Sequence, residues 1–165
     1  MNEVLIRATT PTDASSLRAA LDSVARERRF LAMLEAPSVE RVATFGSLSN
    51  VTQIVAVEGD VIVGWADVQR LLDVGFSHRG VMGMGVIASH RRRGIGTRLL
   101  TAVVERARSL GVSRLELEVF RSNFAAVKLY ERNGFCLEGE QLRARILDGK
   151  VDDMLLMSQW IGAPE

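Results

Sequence analysis

Between Val81 and Phe120 the chain spells out one folding unit. An extended run, Val81 to Ile87, leads through Ser89 and His90 into Arg91-Arg92-Arg93-Gly94-Ile95-Gly96. A helical pattern follows to Leu110, and then an alternating run from Arg114 to Phe120. Ile95, Leu99, Leu100, Val103, Val104, Ala107 and Leu110 share one helical face, and Gly111 stands where such a helix ends. Leu115, Leu117 and Val119 point one way along the last run; Arg114, Glu116, Glu118 and Phe120 point the other. A strand reached from another strand through a helix joins it in parallel, by a right-handed crossover. That requirement commits the chain to an α/β architecture.

The loop inside this unit carries the first chemistry. N–H groups in the first turn of a helix have no partner within the helix and face outward at the positive end of its dipole. Gly94 and Gly96 let an anion approach the backbone, and the arginines stay charged at any working pH. A strand, a basic glycine loop and a helix start therefore suit a phosphate-rich ligand. The Gly-Lys-Ser/Thr of a Walker loop is absent, and Thr97-Arg98-Leu99 lacks the third glycine of a dinucleotide fingerprint. A solvated basic turn that merely starts a helix is the competing reading.

Val4 to Ala8 reads as a short buried strand. Asp13 can cap a helix that carries Leu17, Ala20, Leu21 and Val24 at helical spacing. Pro37 opens a second short helix through about Phe45, with Val39 and Val42 as its apolar side. Phe30, Leu31, Met33 and Leu34 either cover a pocket or pack between these helices, and packing is the favoured expectation. Gln53 to Val57 and Val61 to Gln69 form a hairpin around Glu58-Gly59-Asp60, and Gly64 implies a bulge or a close backbone approach. Leu71 to Arg79 is a connecting loop. Gly83 and Gly85 lie on one face of the Val81 to Ile87 strand. Either a ligand runs flat against that face, or the glycines make room for bulky neighbours from the opposing helix. Ser122 or Asn123 caps a further helix that Gly134 ends, and two last strands, Phe135 to Gly139 and Val151 to Trp160, join through Leu142 to Ile146 and the Asp148-Gly149 turn.

Composition excludes several classes. The 165 residues fit one domain, 1–165, with no linker or repeat. Net charge is +1, from 21 basic and 20 acidic residues, which argues against a nucleic-acid partner. No run approaches the ~20 apolar residues of a membrane span, and the N-terminus lacks a basic-then-apolar signal pattern. Cys136 is the only cysteine, so no internal disulfide forms and a reducing cytoplasm is expected. The Cys and His residues are too few and scattered for a zinc cluster, and no metal is expected.

Arg91-x-x-Gly94-x-Gly96 resembles the acetyl-CoA pyrophosphate motif of the GNAT acyltransferase superfamily. Asn123-Phe-Ala-Ala126-Val-Lys-Leu129-Tyr130-Glu131-Arg-Asn-Gly134-Phe135 is similar to a second segment of that superfamily, in the expected order. The resemblance spans about Ile6 to Trp160 and is greatest to small bacterial members that acetylate amino acids or other small amines. It implies a single domain with a mixed, mostly antiparallel sheet, central parallel strands splayed apart, flanking helices, and acetyl-CoA entering the splayed cleft. It implies that Met84, Gly85 and Val86 pair with the pantetheine arm, with the N–H of Val86 as oxyanion donor. Arg91, Arg92, Arg93, Gly94, Ile95, Gly96, Thr97 and Arg98 would form the pyrophosphate loop. Asn123 would bond the pantetheine or pyrophosphate arm, and Lys128 and Arg132 either reach the adenosine phosphate or remain solvated.

Acetyl transfer to an amine then needs an acid and a base. Tyr130, the chain's only tyrosine, lies seven residues after Asn123, the spacing of members that use this tyrosine to protonate the leaving thiolate. A phenol near ~10 is protonated at neutral pH. Glu118, five residues before Asn123, is the candidate base by its resemblance to the glutamate that serves so in alanine acetyltransferases of ribosomal proteins; a water-relayed proton is the alternative, and Glu116 shares its face. Cys136 has no histidine nearby in sequence to activate it, which disfavours an acyl-cysteine route. The expected function is N-acetylation of a small primary amine, with a protein acetyltransferase or a non-catalytic CoA-binding module as alternatives. The last hairpin and Met154 to Met157 suggest a homodimer.

Overall fold

The computed structural model describes residues 3–162; the ends of the expected 1–165 domain lie outside the described residues. Its centre is a seven-stranded sheet in the order β1-β2-β3-β4-β5-β7-β6. The strands are β1 (Val4–Ala8), β2 (Val51–Glu58), β3 (Val61–Arg70), β4 (Arg79–Val86), β5 (Arg114–Phe120), β6 (Cys136–Leu147) and β7 (Lys150–Trp160). The helices are α1 (Ala14–Ala25), α2 (Val39–Gly46), α3 (Ile95–Ser109) and α4 (Phe124–Arg132), with short 3-10 turns at Pro11–Asp13 and Ala88–His90. Every recorded strand pairing is antiparallel except β4 with β5, the parallel pair that the crossover unit requires.

Alternation in the strands sends apolar side chains to both faces. One core joins Leu99, Leu100, Val103 and Ala107 of α3 to Leu115, Leu117 and Val119 of β5, and includes Tyr130 and Phe135. A second joins Leu17, Ala20 and Val24 of α1 and Val42 of α2 to Val55, Val57, Ile62 and Trp65. Helices thus cover both faces, and most interior positions read from periodicity are buried, while Leu21, Val104 and Leu110 are only partly so. On α2 only Val42 is buried; Val39 is exposed. The hairpin turn is where expected, and a bulge shifts the register between Ala56 and Val57, beside Gly64.

Asp13 does not cap α1 with its side chain. Its carboxylate takes the Arg7 guanidinium at 2.6 and 2.9 Å and the Thr10 N–H at 2.7 Å, and Arg7 holds its pKa down at about 2. A bidentate pair with a guanidinium outcompetes a single backbone N–H for the same carboxylate. Asn123 is the residue that caps α4, accepting from the N–H of Ala126.

The parallel pair is short. β4 and β5 are matched only over Arg79–Val81 and Arg114–Glu116. Beyond that point they part, and Met82 to Val86 face an open seam. Arg79 and Arg114 both bond Glu116 at this closed end, which locks the place where the strands diverge.

Candidate active site

The seam widens into a cleft of about 1180 Å³. Met82 to Val86 form one wall, Glu118 to Phe120 the other. The loop from His90 to Thr97 and one side of α4 close the outer end, and Phe30 to Ala32 cover the face that carries α1. Phe30 and Leu31 pack against the core under α1 and α2, as favoured from sequence, and also border the cavity, whereas Met33 and Leu34 are exposed.

Strand alternation aims the backbone of β4 into this cleft. The Ile87 N–H donates to Val63 on β3. Neighbouring residues of a strand point their N–H groups to opposite sides, so that of Val86 faces the seam. The Val86 carbonyl faces it too and accepts from Arg91 Nε at 2.8 Å.

Gly94 caps α3 with φ at 75°, a left-handed conformation that glycine adopts without steric cost. A Cβ added there would meet nothing within 4 Å, so the approach to the backbone is open. The first backbone bond of the helix runs from Arg98 N–H to Gly94 O, which leaves the N–H groups of Ile95, Gly96 and Thr97 without intrahelical partners. Gly96 has a different reason to be glycine: its Cβ would stand 3.2 Å from Leu129 of α4.

The arginines do not act as one cluster. Arg91 is taken by Glu27 at 2.5 and 2.8 Å and lies over the Phe30 ring. Arg93 bonds Glu58, which also bonds His90. Arg98 donates to the Val4 carbonyl at 2.8 Å and ties α3 to β1. Arg92 alone among the three loop arginines makes no ion pair within the described residues, and it lines the cleft. Nearby carboxylates thus engage Arg91 and Arg93, and a carbonyl engages Arg98. Asn123 and Lys128 line the cleft with the exposed Arg132.

Gly83 and Gly85 face α1, not the helix against the other side of the sheet. A Cβ on Gly85 would lie 2.4 Å from the Trp65 ring, so this glycine makes room for a tryptophan on the adjacent strand. Gly83 opens onto the cleft.

The two carboxylates of β5 are separated by their partners. Glu116 is held by Arg79 and Arg114, and the Arg79 hydrogen bond depresses its pKa. Glu118 is exposed at the cleft and forms no hydrogen bond or ion pair among the described residues. Tyr130 is buried against Phe135, ring centroids 5.6 Å apart, yet reaches the cleft; burial pushes its phenol well above the ordinary range. Cys136 is exposed and outside the cleft lining. Among the described residues no group of three or more His, Cys, Asp or Glu could hold a metal ion. No helix among them is long and apolar enough to cross a membrane.

A glycine-capped helix start, an unpaired arginine and a splayed parallel seam with strand backbone turned inward fit a long ligand with a diphosphate and an amide arm. The fold and site define an acyl-CoA-dependent transferase. A family model described as the Acetyltransferase (GNAT) family matches residues 19–135, and the chain belongs to that family. The chain is 30% identical to the L-amino acid N-acetyltransferase AaaT of Escherichia coli over 112 residues, covering 67% of this chain and 68% of that protein. A GNAT-family acetyltransferase from Streptococcus pneumoniae superposes with a TM-score of 0.89 at 30% identity, covering 97% and 100% of the two chains. A phosphinothricin acetyltransferase from Sinorhizobium meliloti, solved in complex with AcCoA, shares the fold with a TM-score of 0.86 at 18% identity, covering 96% and 89%. The protein is thus an N-acetyltransferase with acetyl-CoA as acyl donor.

Proposed function

We propose that the protein acetylates the primary amine of a small molecule such as an amino acid, by direct attack in a ternary complex. The observation that carries this is the pairing pattern along β5. Glu116 is doubly bound by arginines, while Glu118, one step along the same face, presents to the cleft a carboxylate with no partner among the described residues. The loop from Arg92 to Thr97, with Asn123 and Lys128, holds the donor; acetyl-CoA brings the activated acyl group. Glu118 takes a proton from the ammonium, directly or through water. The nitrogen–carbonyl bond forms as the Val86 N–H stabilises the oxyanion, a contribution of ~2.7–4 kcal/mol for such a donor. The carbon–sulfur bond then breaks as Tyr130 gives its proton to the thiolate; the second proton, shed by the nitrogen as it becomes an amide, returns through water to the Tyr130 oxygen, and Glu118 releases the first to solvent.

Small-acceptor specificity is supported by the cover that Phe30 to Ala32 place over the cleft. A homodimer through the last hairpin is supported by outward apolar side chains on it, Leu142, Ile146 and Val151, and sedimentation tests it. The single, exposed cysteine suits the cytoplasm. The central test follows free thiol release from acetyl-CoA over a panel of amines, amino acids and peptides. Turnover with small amines and amino acids is expected. Activity confined to peptides would replace the small acceptor with a protein, and thiol release with none of them would overturn the catalytic reading.

A further inference from the structure

One row of side chains crosses the α1-bearing face of the sheet at the level of the cleft. Gln53 on β2 is paired with Asp67 on β3, and Asp67 with Gly83 on β4. Val81 is paired with Glu116 on β5, and two residues further on, where the strands have parted, Gly83 and Glu118 stand on the same face on opposite walls of the seam. Gly83 is the only member of the row without a side chain. A Cβ there would meet a single atom of the chain within 4 Å, Asp67 Oδ1 at 3.6 Å. The row therefore contains a trough, floored by Gly83, with a carboxyl on each side.

Neither carboxyl is neutralised from within. Asp67 bonds Gln53, a neutral amide, and no guanidinium or ammonium among the described residues reaches it. Glu118 has no partner among the described residues. Asp67 is half-buried: protein atoms crowd it closely enough to push its carboxyl up to about 7, yet it keeps an accessible edge. Asp67 does not itself line the cleft, but its Oδ1 is turned toward the space that Gly83 opens onto it; a half-buried carboxyl so placed, without a cation, suits one that the chain does not itself supply. The walls beyond the trough, Phe30, Leu31, Phe120 and Met154, are apolar.

We infer that the trough over Gly83 is the acceptor subsite, in which Asp67 and Glu118 hold from two sides the ammonium group of a primary amine carried on an apolar stem. This rests on the acetyl-transfer reading above and names its acceptor class. Asp67 binds the cation and fixes the nitrogen beside Glu118, which takes the proton. Gly83 is the specificity element, since any side chain there would occupy the nitrogen's place.

Two variants test it in the full-length protein, with 2-phenylethylamine and L-phenylalanine as acceptors. Asp67→Asn keeps the shape and removes the charge. Gly83→Ala fills the trough, and its methyl meets only an ordinary contact, so the fold tolerates it. For both variants the acceptor KM should rise about tenfold, as expected for loss of one charge-assisted contact, while the KM for acetyl-CoA stays within about twofold. Melting temperatures serve as the control for folding. An active wild type whose two variants keep the acceptor KM overturns the subsite and leaves the acetyl-transfer reading intact. A wild type that releases no thiol with any amine or peptide overturns both.

Discussion

The guanidinium of Arg91 grips the carboxylate of Glu27 with both terminal nitrogens, at 2.5 and 2.8 Å. Arg91 belongs to the glycine loop at the donor end of the cleft. Glu27 lies just past α1, beside the segment Phe30–Ala32 that covers the acceptor end. The pair thus joins the two halves of the site. Ion pairs with this much exposure contribute only ~0–1 kcal/mol to stability, so its consequence is one of placement. In Glu27→Gln the cover loses its tether, and the acceptor KM should rise about fivefold, ~1 kcal/mol, with CoA affinity little changed. Arg92→Ala should do the reverse, weakening CoA binding about tenfold by loss of a charge-assisted bond. Calorimetry with CoA and acceptor titrations separate the two; a loss of CoA affinity in Glu27→Gln equal to that in Arg92→Ala contradicts this division.

Gly94 allows a second separation. Its φ of 75° costs an L-residue ~1–2 kcal/mol, and that strain is the whole expected stability loss in Gly94→Ala, because its Cβ would meet nothing within 4 Å among the described residues. The open space ahead of it is where the diphosphate of the donor would come. CoA affinity should therefore fall by at least about tenfold, a loss that folding strain does not explain. Equal CoA binding by wild type and variant, measured below the melting transition, would place the ligand elsewhere.

Periodicity made the framework legible: the helical face from Ile95 to Leu110, the alternation from Arg114 to Phe120 and the hairpin around Gly59 all stand where the pattern put them. The glycine loop and Asn123 through Tyr130 were legible because their spacing along the chain is also their arrangement at the cleft. What stayed hidden depends on partners remote in sequence. Nothing near Arg91 announces that Glu27 will claim it. Gly85 reads as a ligand platform until Trp65 is found against it, 20 residues away in the chain but opposite it on the next strand. Asp67 gave no signal at all; an acid amid β-branched residues looks like the polar side of a strand, and only the register reveals that Gly83 leaves a gap beside it.

Asp67 also carries a pH signature in stability. Its ordinary pKa of 3.8 rises to about 7 in the folded protein, through desolvation opposed by the Gln53 hydrogen bond. The folded state thus holds the proton more tightly than the unfolded one. Stability tied to this group is complete below about pH 4, declines as pH rises toward 7, and is flat above. Full linkage would amount to about 4 kcal/mol; with relaxation and solvent at its accessible edge, about 1–2 kcal/mol is expected. Asp67→Asn, which cannot ionise, should gain on wild type by that amount between pH 4 and pH 8 in denaturant melts. A constant difference across this range would show that Asp67 ionises freely in the folded protein.

Tyr130 places the strictest demand on the proposed chemistry. Burial raises its phenol above the ordinary value, so the hydroxyl remains protonated throughout the working range and serves as a donor only. It therefore contributes no limb to the pH profile of kcat below about pH 10, and the ascending limb belongs to loss of the acceptor's proton. Its ring packs on Phe135, and its hydroxyl has no partner among the described residues. Tyr130→Phe should accordingly keep the melting temperature and CoA affinity of the wild type. The departing thiolate would lose its proton donor, and kcat should fall by about 10²-fold or more, the usual contribution of a positioned acid. Stopped-flow acetyl transfer from a preformed complex isolates that step from product release. If single-turnover rates match in the two proteins, the phenol is only part of the hydrophobic packing and water protonates the thiolate.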